Sequence, residues 1–416
     1  MIRSLAAIVA CLVLAGCSSA GTAPKQAGKT ELKLYNDKGA WSKYFEQMGT
    51  LSKQQIGLNM KPVGYTDEPT YQAFIKASFR TNVKPDLFTW TTGGQLQEIV
   101  KQKQVADTSA VWQEAIKAGD LSPDLQPYYT IDGKQYCVPL NVAYWGMFYN
   151  KKVFDKYGLQ PPATWDDLVK IADTLKKNKV TPFYHTSVLF SFVWFEQLMA
   201  GTDPDLYDKL STGKAKYTDP GVVAVMQKWK QLIDAGYFVN PGDKTDPADL
   251  LKSGKTAMVS SGTWFNTSMT QRDLKAGTDY GFFVIPNVNP ALPKPSIIFE
   301  SGPLCSLAKA PDPEASAKYL KWWTTAPAQE KWSSSRGDVS ANPKVEIKDE
   351  ALGQVTKDAG GGKYRLVNRY FEATPPPVLT AALDGFGRFV GEPDSLQQVL
   401  ETIQKAADDY WSTHSS

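Results

Sequence analysis

Hydrophobic and polar residues alternate at the start of the folded region and then change to a helical spacing. The alternation over 31–35 predicts a strand, and apolar side chains at i, i+3, i+4 and i+7 over 41–48 predict a helix with one apolar face. A strand over 57–63, a helix over 71–79 and a short strand over 86–90 follow. This order predicts an α/β protein with mostly parallel sheets, in which ligands bind beyond the carboxyl ends of the strands.

The N-terminal residues predict export. The apolar stretch 5–14 is too short to remain as a membrane-spanning helix and fits a secretory signal. Leu14-Ala15-Gly16-Cys17 resembles the cleavage site of a bacterial lipoprotein signal, which implies cleavage before Cys17 and acylation of its thiol. An ordinary signal peptide with an incidental cysteine is the alternative. With the lipoprotein interpretation, residues 1–16 are the signal peptide, residues 17–30 are a lipid-anchored flexible linker, and the protein is extracytoplasmic.

Composition limits the number of domains and the kinds of partner expected for the region after the linker. No later segment is long and apolar enough to span a membrane, and about 386 residues remain, which is comfortable for two domains. The formal net charge of +3 comes from 46 basic and 43 acidic residues with both signs interspersed, so nucleic acid is not expected as a partner. Cys11 leaves with the signal and Cys17 takes the lipid. Cys137 and Cys305 are then either joined in a disulfide or buried as two free thiols.

The sequence lacks the residues and motifs that most classes of enzyme use for catalysis. The chain has two histidines, His185 and His414, and no Gly-x-Ser-x-Gly motif, which argues against histidine-based metal sites and catalytic triads. The glycine clusters do not have the spacing of a dinucleotide or phosphate loop, so no cofactor is expected, and the scarcity of histidine means that no metal is expected. Paired carboxylates for glycoside hydrolysis stay open, because 43 acidic residues offer many pairs.

Three blocks of sequence carry a family resemblance. The first holds Tyr-x-Val-Pro at 136–139, Tyr-Asn-Lys at 149–151, Gly-Leu at 158–159 and Thr-Trp-Asp-Asp-Leu at 164–168. The others are 254–264, which ends in Trp264, and 300–308 with the helical pattern after it. Together they resemble the extracellular solute-binding proteins of ABC importers, in the sugar-binding class that includes maltose-binding protein. Arg336 lies where the family carries a Pro-x-Arg pattern, but the proline is absent.

The resemblance implies an α/β, two-lobed periplasmic-binding-protein fold, in which each lobe is a mostly parallel sheet flanked by helices. Hinge strands near 139–142 and 300–304 would join a first lobe of 31–139 and 304–345 to a second of 140–303 and 346–416. It also implies a monomeric, non-enzymatic receptor that delivers a sugar to the membrane subunits of an importer. A surface glycan-acting enzyme, or the same fold binding a peptide or polyamine, is the alternative.

Aromatic residues make up 12% of the chain, and flat indole faces suit the C–H face of a pyranose. The candidates for stacking are Trp41, Trp90, Tyr144, Trp145 and Trp264. The candidates for polar contacts are Asn36, Asn141, Glu196, Glu300 and Arg336, with Gly302 allowing close approach of the backbone. Trp41 fits a helical core face equally well, and Glu196 fits a surface pair with a lysine. Tyr144 and Trp145 are adjacent, so on a strand only one of them faces the ligand.

Overall fold

The computed structural model describes residues 30–414. Its strands are β1 (Glu31–Asn36), β2 (Asn59–Gly64), β3 (Leu87–Thr89), β4 (Thr130–Ile131), β5 (Lys134–Gln135), β6 (Val138–Asn150), β7 (Thr181–Phe183), β8 (Thr256–Gly262), β9 (Tyr280–Phe283), β10 (Ser296–Ser306) and β11 (Arg365–Asn368). The predicted signal peptide 1–16, the lipidation site Cys17 and the linker up to residue 29 lie outside the described residues.

Helices fill most of the intervals between strands. They are α1 (Ser42–Ile56), α2 (Glu68–Ser78), α3 (Gly94–Lys101), α4 (Ser109–Ala118), α5 (Lys151–Lys156), α6 (Trp165–Lys177), α7 (Val193–Thr202), α8 (Pro204–Ser211), α9 (Pro220–Asp234), α10 (Pro247–Ser253), α11 (Phe265–Thr270), α12 (Pro313–Trp323), α13 (Ala326–Arg336), α14 (Glu350–Gly360), α15 (Tyr370–Ala373), α16 (Pro376–Gly391) and α17 (Leu396–Trp411). Among residues 30–414, no helix combines the length and the apolar character needed to cross a bilayer.

Local sequence signals explain where several elements begin and end. Helix α6 begins after Thr164, whose hydroxyl accepts a hydrogen bond from the backbone N–H of Asp167 at 3.2 Å. Helix α1 ends at Gly57, which adopts a φ of 72° that glycine tolerates without a steric cost. These signals set the strand and helix boundaries that position the loops at the strand ends.

Strands β6 and β10 connect the two halves of the main sheet. The order is β2-β1-β3-β10-β6-β8-β7, with β11 paired to β10 and β9 paired to β6. β1 is parallel to β2 and β3, β7 is parallel to β8, and β11 is parallel to β10. The antiparallel pairs of this sheet all involve β6 or β10. The segments predicted as hinge strands are therefore hydrogen-bonded neighbours, with a register shift between Gly302 and Pro303.

Buried side chains form separate groups on the two halves. One group packs β1 against α1, α12 and α13 and includes Phe45, Trp323 and Trp332. Another packs α7, α9 and α16 together and includes Phe195, Trp229 and Phe386. A third group lies against the central strands and draws on both halves. The residue boundaries of the two lobes stay a prediction.

A disulfide joins Cys137, which immediately precedes β6, to Cys305 near the end of β10. Both cysteines are fully buried. Of the two possibilities that the sequence left open, the structure therefore has the bridged one. The bond ties together the strands that the two halves of the sheet share.

Candidate ligand-binding site

Glu300, in the middle of β10, is the centre of a buried polar group. Its Oε2 atom accepts hydrogen bonds from the indole N–H of Trp145 at 2.8 Å and of Trp264 at 3.2 Å. The same oxygen lies 2.9 Å from Nη1 of Arg369. The side chains of Glu300 and Arg369 are 13% and 11% exposed, which leaves this group largely shielded from water. One carboxylate oxygen therefore positions two indoles and a guanidinium from three segments of the chain.

Arg369 is held by a second carboxylate as well. Its Nε donates to Glu372 Oε2 at 2.7 Å, and its Nη2 donates to the other oxygen of Glu372. Burial alone would lower the pKa of Arg369, but the charges of Glu300 and Glu372 raise it above its ordinary value. Arg369 therefore remains a fixed cation beside the two tryptophans.

The two indoles form an aromatic corner. The ring centroids of Trp145 and Trp264 are 5.8 Å apart with planes at 79°, and Phe190 lies 5.8 Å from the first and 5.9 Å from the second. Trp264 is partly exposed whereas Trp145 is 1% exposed, so the ring of Trp264 is the one that can be reached from solvent. A cavity of about 340 Å³ opens beside them, lined also by residues at the carboxyl ends of β7 and β8, such as Tyr184 and Ser261. This is the edge of a parallel sheet at which ligands bind.

The loop after β1 contributes charges from the other half of the sheet. Asp37 accepts a hydrogen bond from the hydroxyl of Thr89 at 2.6 Å and pairs with Lys38 at 2.9 Å. Burial would raise the pKa of Asp37, but Lys38 and the Thr89 hydroxyl lower it below its ordinary value. Burial would lower the pKa of Lys38, but Asp37 and, to a smaller extent, Glu300 raise it above its ordinary value, so this loop is electrostatically coupled to the Glu300 group.

Arg336 and Trp41 form a second group. Arg336 is 1% exposed, and its guanidinium carbon lies 3.7 Å from the centroid of the Trp41 ring. Its Nη2 atom lies 3.0 Å from Asp338, whose other oxygen accepts a hydrogen bond from Thr263, the neighbour of Trp264. Burial lowers the pKa of Arg336, with Asp338 opposing the shift. Nε and Nη1 of Arg336 have no hydrogen-bond partner among residues 30–414, so this cation keeps free donors.

A family model described as bacterial extracellular solute-binding protein matches residues 43–359, well over half of the chain. The chain belongs to this family. An uncharacterized ABC transporter extracellular-binding protein of Pyrococcus horikoshii is 25% identical over 355 residues, 80% of this chain and 78% of the relative. The melibiose/raffinose/stachyose-binding protein of Bacillus subtilis is 26% identical over 233 residues, 54% of this chain and 49% of the relative.

Solved structures share the fold of this solute-binding protein. A chitin oligosaccharide binding protein superposes with a TM-score of 0.78 at 20% identity, over 91% of this chain and 98% of that one. The predicted resemblance to the solute-binding proteins of ABC importers and the predicted two-lobed α/β fold are confirmed.

The remaining predicted residues of the solute-binding protein lie outside the Glu300 group. Asn141 and Gly302 face each other across β6 and β10, and neither amide atom of Asn141 has a hydrogen-bond partner among the described residues. Asn36 is buried at the end of β1, where its Oδ1 accepts from the backbone N–H of Lys38 at 3.0 Å. Glu196 is fully buried and accepts from the backbone N–H of Tyr370 at 2.8 Å. Burial raises the pKa of Glu196 well above its ordinary value.

Two of the predicted aromatic residues pack in the core. Trp90 is buried against Tyr71 and Phe88, and its indole N–H donates to the carbonyl of Gln95 at 3.1 Å. Tyr144 lies on the opposite face of β6 from Trp145, with its ring 5.8 Å from that of Phe299. Strand alternation requires this separation, and the structure selects Trp145 for the Glu300 group. Trp145, Trp264 and Glu300 are thus brought together, whereas Trp90 and Tyr144 are not among them.

Several members of the site were not predicted from the sequence. They are Asp37, Lys38, Phe190, Arg369 and Glu372. Asp37 follows the predicted strand β1 directly, so the rule that ligands bind beyond strand ends would have found it. Within the described range, no group of three His, Cys, Asp or Glu side chains is placed to hold a metal ion.

Proposed function

We propose that this protein is an extracytoplasmic receptor that captures a sugar or oligosaccharide and delivers it to an ABC importer. The arrangement of Trp145 and Trp264 around Glu300 carries the proposal. Their N–H groups are bound to the carboxylate, so both rings are fixed, and the partly exposed ring of Trp264 can stack on a pyranose. The adjoining cavity of about 340 Å³ falls within the usual size range of small-molecule sites.

Charged side chains around the aromatic corner suit the hydroxyl groups of a sugar. Arg369 and Arg336 supply donors, whereas Glu300 and Asp37 supply acceptors. Each of these side chains is already held by a neighbouring residue, so little conformational entropy is lost when a ligand binds. The sugar-binding name of the Bacillus subtilis relative supports the same ligand class.

Capture would proceed by closure of the lobes around the β6–β10 strand pair. The loop after β1 approaches from one half of the sheet, while Arg369 and Trp264 approach from the other. A ligand that contacts both halves stabilises the closed form, and the importer would recognise that form. We propose residues 31–139 with 304–345 as one lobe and 140–303 with 346–416 as the other, in a monomeric receptor.

A lipid on Cys17 would keep the receptor at the membrane. The linker to residue 30 would then hold the binding lobes near the importer at a high effective concentration. Replacing Cys17 by Ser should release the protein from the membrane fraction and impair uptake while ligand affinity is unchanged. Undiminished uptake by a released protein would contradict this role of the anchor.

A panel of sugars, amino acids, peptides and polyamines tests the ligand class. A ligand at 100 times its dissociation constant stabilises the native state by about 2.7 kcal/mol, which a thermal-shift measurement detects. We expect sugars to raise the melting temperature and to be recovered unchanged by chromatography. Stabilisation by peptides or polyamines alone would refute the sugar proposal, and recovery of hydrolysed sugar would favour the glycan-acting enzyme.

Trp264→Ala tests the aromatic corner. We expect calorimetry to show an affinity for the bound sugar at least about tenfold lower, because a stacking surface and its packing are lost. Trp322→Ala is the matched control, since this indole pairs with Gln55 outside the site. Circular dichroism checks that both variants fold. Equal affinities of the two variants would exclude Trp264 from the binding site.

A further inference from the structure

The cavity beside the aromatic corner is largely apolar away from Glu300. Val188, Leu189 and Val193 line it together with the ring of Trp194. Among the described lining residues, Asp246 is the one carboxylate, and it is already engaged. It lies 3.1 Å from Arg272 and accepts from the backbone N–H of Ala248 at the start of α10. A ligand group inside this cavity therefore meets no free ionic partner.

His185 does not add a charge to the wall of this cavity. His185 lines the cavity, and its Nε2 is 2.8 Å from the carbonyl oxygen of Val239, while its ring stacks on Phe238 at 4.5 Å. Burial lowers the pKa of His185 to about 4, so the ring is neutral at physiological pH. The wall beyond Trp145 and Trp264 thus has no net charge at the position of His185.

The rim of the cavity exposes large apolar side chains. Val188 and Leu189 lie on the segment between β7 and α7 and are 71% and 52% exposed. Among the described residues, Val83 is the other large hydrophobic residue with comparable exposure. Two adjacent exposed aliphatic side chains at the entrance of an apolar cavity favour an apolar ligand that covers them.

We propose that this cavity is a subsite for an apolar substituent of the sugar, such as an aryl, alkyl or N-acyl group. This inference rests on the proposed function, because the sugar ring would contact Trp145 and Trp264 while its substituent enters the cavity. Cavities of about 150 Å³ accommodate benzene, so a volume of about 340 Å³ holds such a group and part of the sugar.

Matched glycosides test the subsite. Calorimetry compares methyl and phenyl β-D-glucopyranoside, and the corresponding galactopyranosides. Each buried methylene group raises affinity about fourfold, so the phenyl glycosides should bind at least about tenfold more tightly than the methyl glycosides. Equal affinities within each pair would overturn the proposal while leaving sugar binding intact.

The rim provides a variant that is not expected to disturb folding. Val188→Ser together with Leu189→Ser should reduce the phenyl-to-methyl affinity ratio at least about threefold, and Val83→Ser should leave it unchanged because Val83 is comparably exposed elsewhere. An unchanged ratio in the double variant would also overturn the proposal.

Benzyl alcohol separates failure of the subsite from failure of the proposed function. It should perturb tryptophan fluorescence saturably in the parent protein and less in the double variant. If benzyl alcohol binds in this way but the glycosides and the sugar panel do not, sugar capture fails, and the cavity accepts an apolar group that belongs to another class of ligand. If sugars bind but benzyl alcohol does not, the subsite fails and sugar capture stands.

Discussion

Cutting the Cys137–Cys305 bond should cost much of the free energy of unfolding. The two cysteines are 168 residues apart in sequence, and the loop-closure relation gives about 5 kcal/mol at 25 °C for a loop of that length. Cys137 has a φ of 63°, a left-handed conformation that costs a non-glycine residue about 1–2 kcal/mol. Thr108 and Trp112 also hold the carbonyl of Cys137, so cutting the bond would recover at most part of this cost. We therefore expect a net destabilisation of about 3–5 kcal/mol.

Urea unfolding at 25 °C measures the effect. Tryptophan fluorescence and circular dichroism are followed with and without a phosphine reductant, and peptide mass spectrometry confirms whether the 137 and 305 peptides are linked. The reduced parent protein keeps both sulfur atoms in the core, so its lower free energy of unfolding reports the lost cross-link rather than lost packing. The double variant Cys137→Ala and Cys305→Ala is the control, because its unfolding should not respond to reductant.

Two results would refute this reasoning. A change in the free energy of unfolding below about 1 kcal/mol after complete reduction would show that the bond does not restrain the unfolded chain as the entropy relation requires. An equal response of the Cys137→Ala/Cys305→Ala variant to reductant would show that the reductant acts elsewhere.

Three further changes probe charge, pH and packing. Arg369→Lys should lower the free energy of unfolding by about 3 kcal/mol, since lysine cannot reproduce the two-point contact with Glu372. A loss below about 0.5 kcal/mol, which is typical of a surface substitution, would contradict this. Burial lowers the pKa of His185 from 6.5 to about 4. Between these pH values the imidazole is protonated in the unfolded chain but neutral in the folded protein. The free energy of unfolding should therefore fall as the pH drops from 6.5 to 4, by at most about 3 kcal/mol. His185→Gln should flatten that slope in urea titrations, and an unchanged slope would exclude His185 as its source. Gly302→Ala should destabilise by about 1 kcal/mol, because its Cβ would lie 2.8 Å from the side-chain oxygen of Asn141, which must rotate away. Gly360→Ala, which meets no atom within 4 Å, should be neutral or stabilising, and equal losses in thermal melts would refute the steric argument.

Local patterns predicted those parts of the structure that depend on neighbouring residues in sequence. The helical spacing over 41–48 predicted α1, in which Phe45 and Met48 are buried as expected. The same spacing also admitted Trp41 to the core, but Trp41 lies at the start of the helix and stacks on Arg336. Trp41 and Arg336 are almost 300 positions apart in the sequence, so a local periodic pattern cannot predict their contact.

In the Glu300 group, too, some residues were predicted from local sequence, whereas others depend on contacts between distant segments. Trp264 and Glu300 were predicted because they lie in blocks that resemble a family, and the structure brings them together. Arg369 was missed because its position depends on the pairing of β11 with β10, a contact between distant segments. Strand alternation separated Tyr144 from Trp145 but did not determine which side of β6 would face the site.

The position of β10 in the sheet also constrains how the chain folds as it is made from its N-terminus. β10 lies between β3 and β6, although it follows both of them along the chain by well over 100 residues. When the chain emerges from its N-terminus, the facing edges of β3 and β6 have unsatisfied backbone groups until residue 306 arrives. An incomplete chain that lacks β10 therefore has open sheet edges that can pair with other chains and aggregate. Any truncation before β10 would leave the main sheet without the strand that joins β3 to β6.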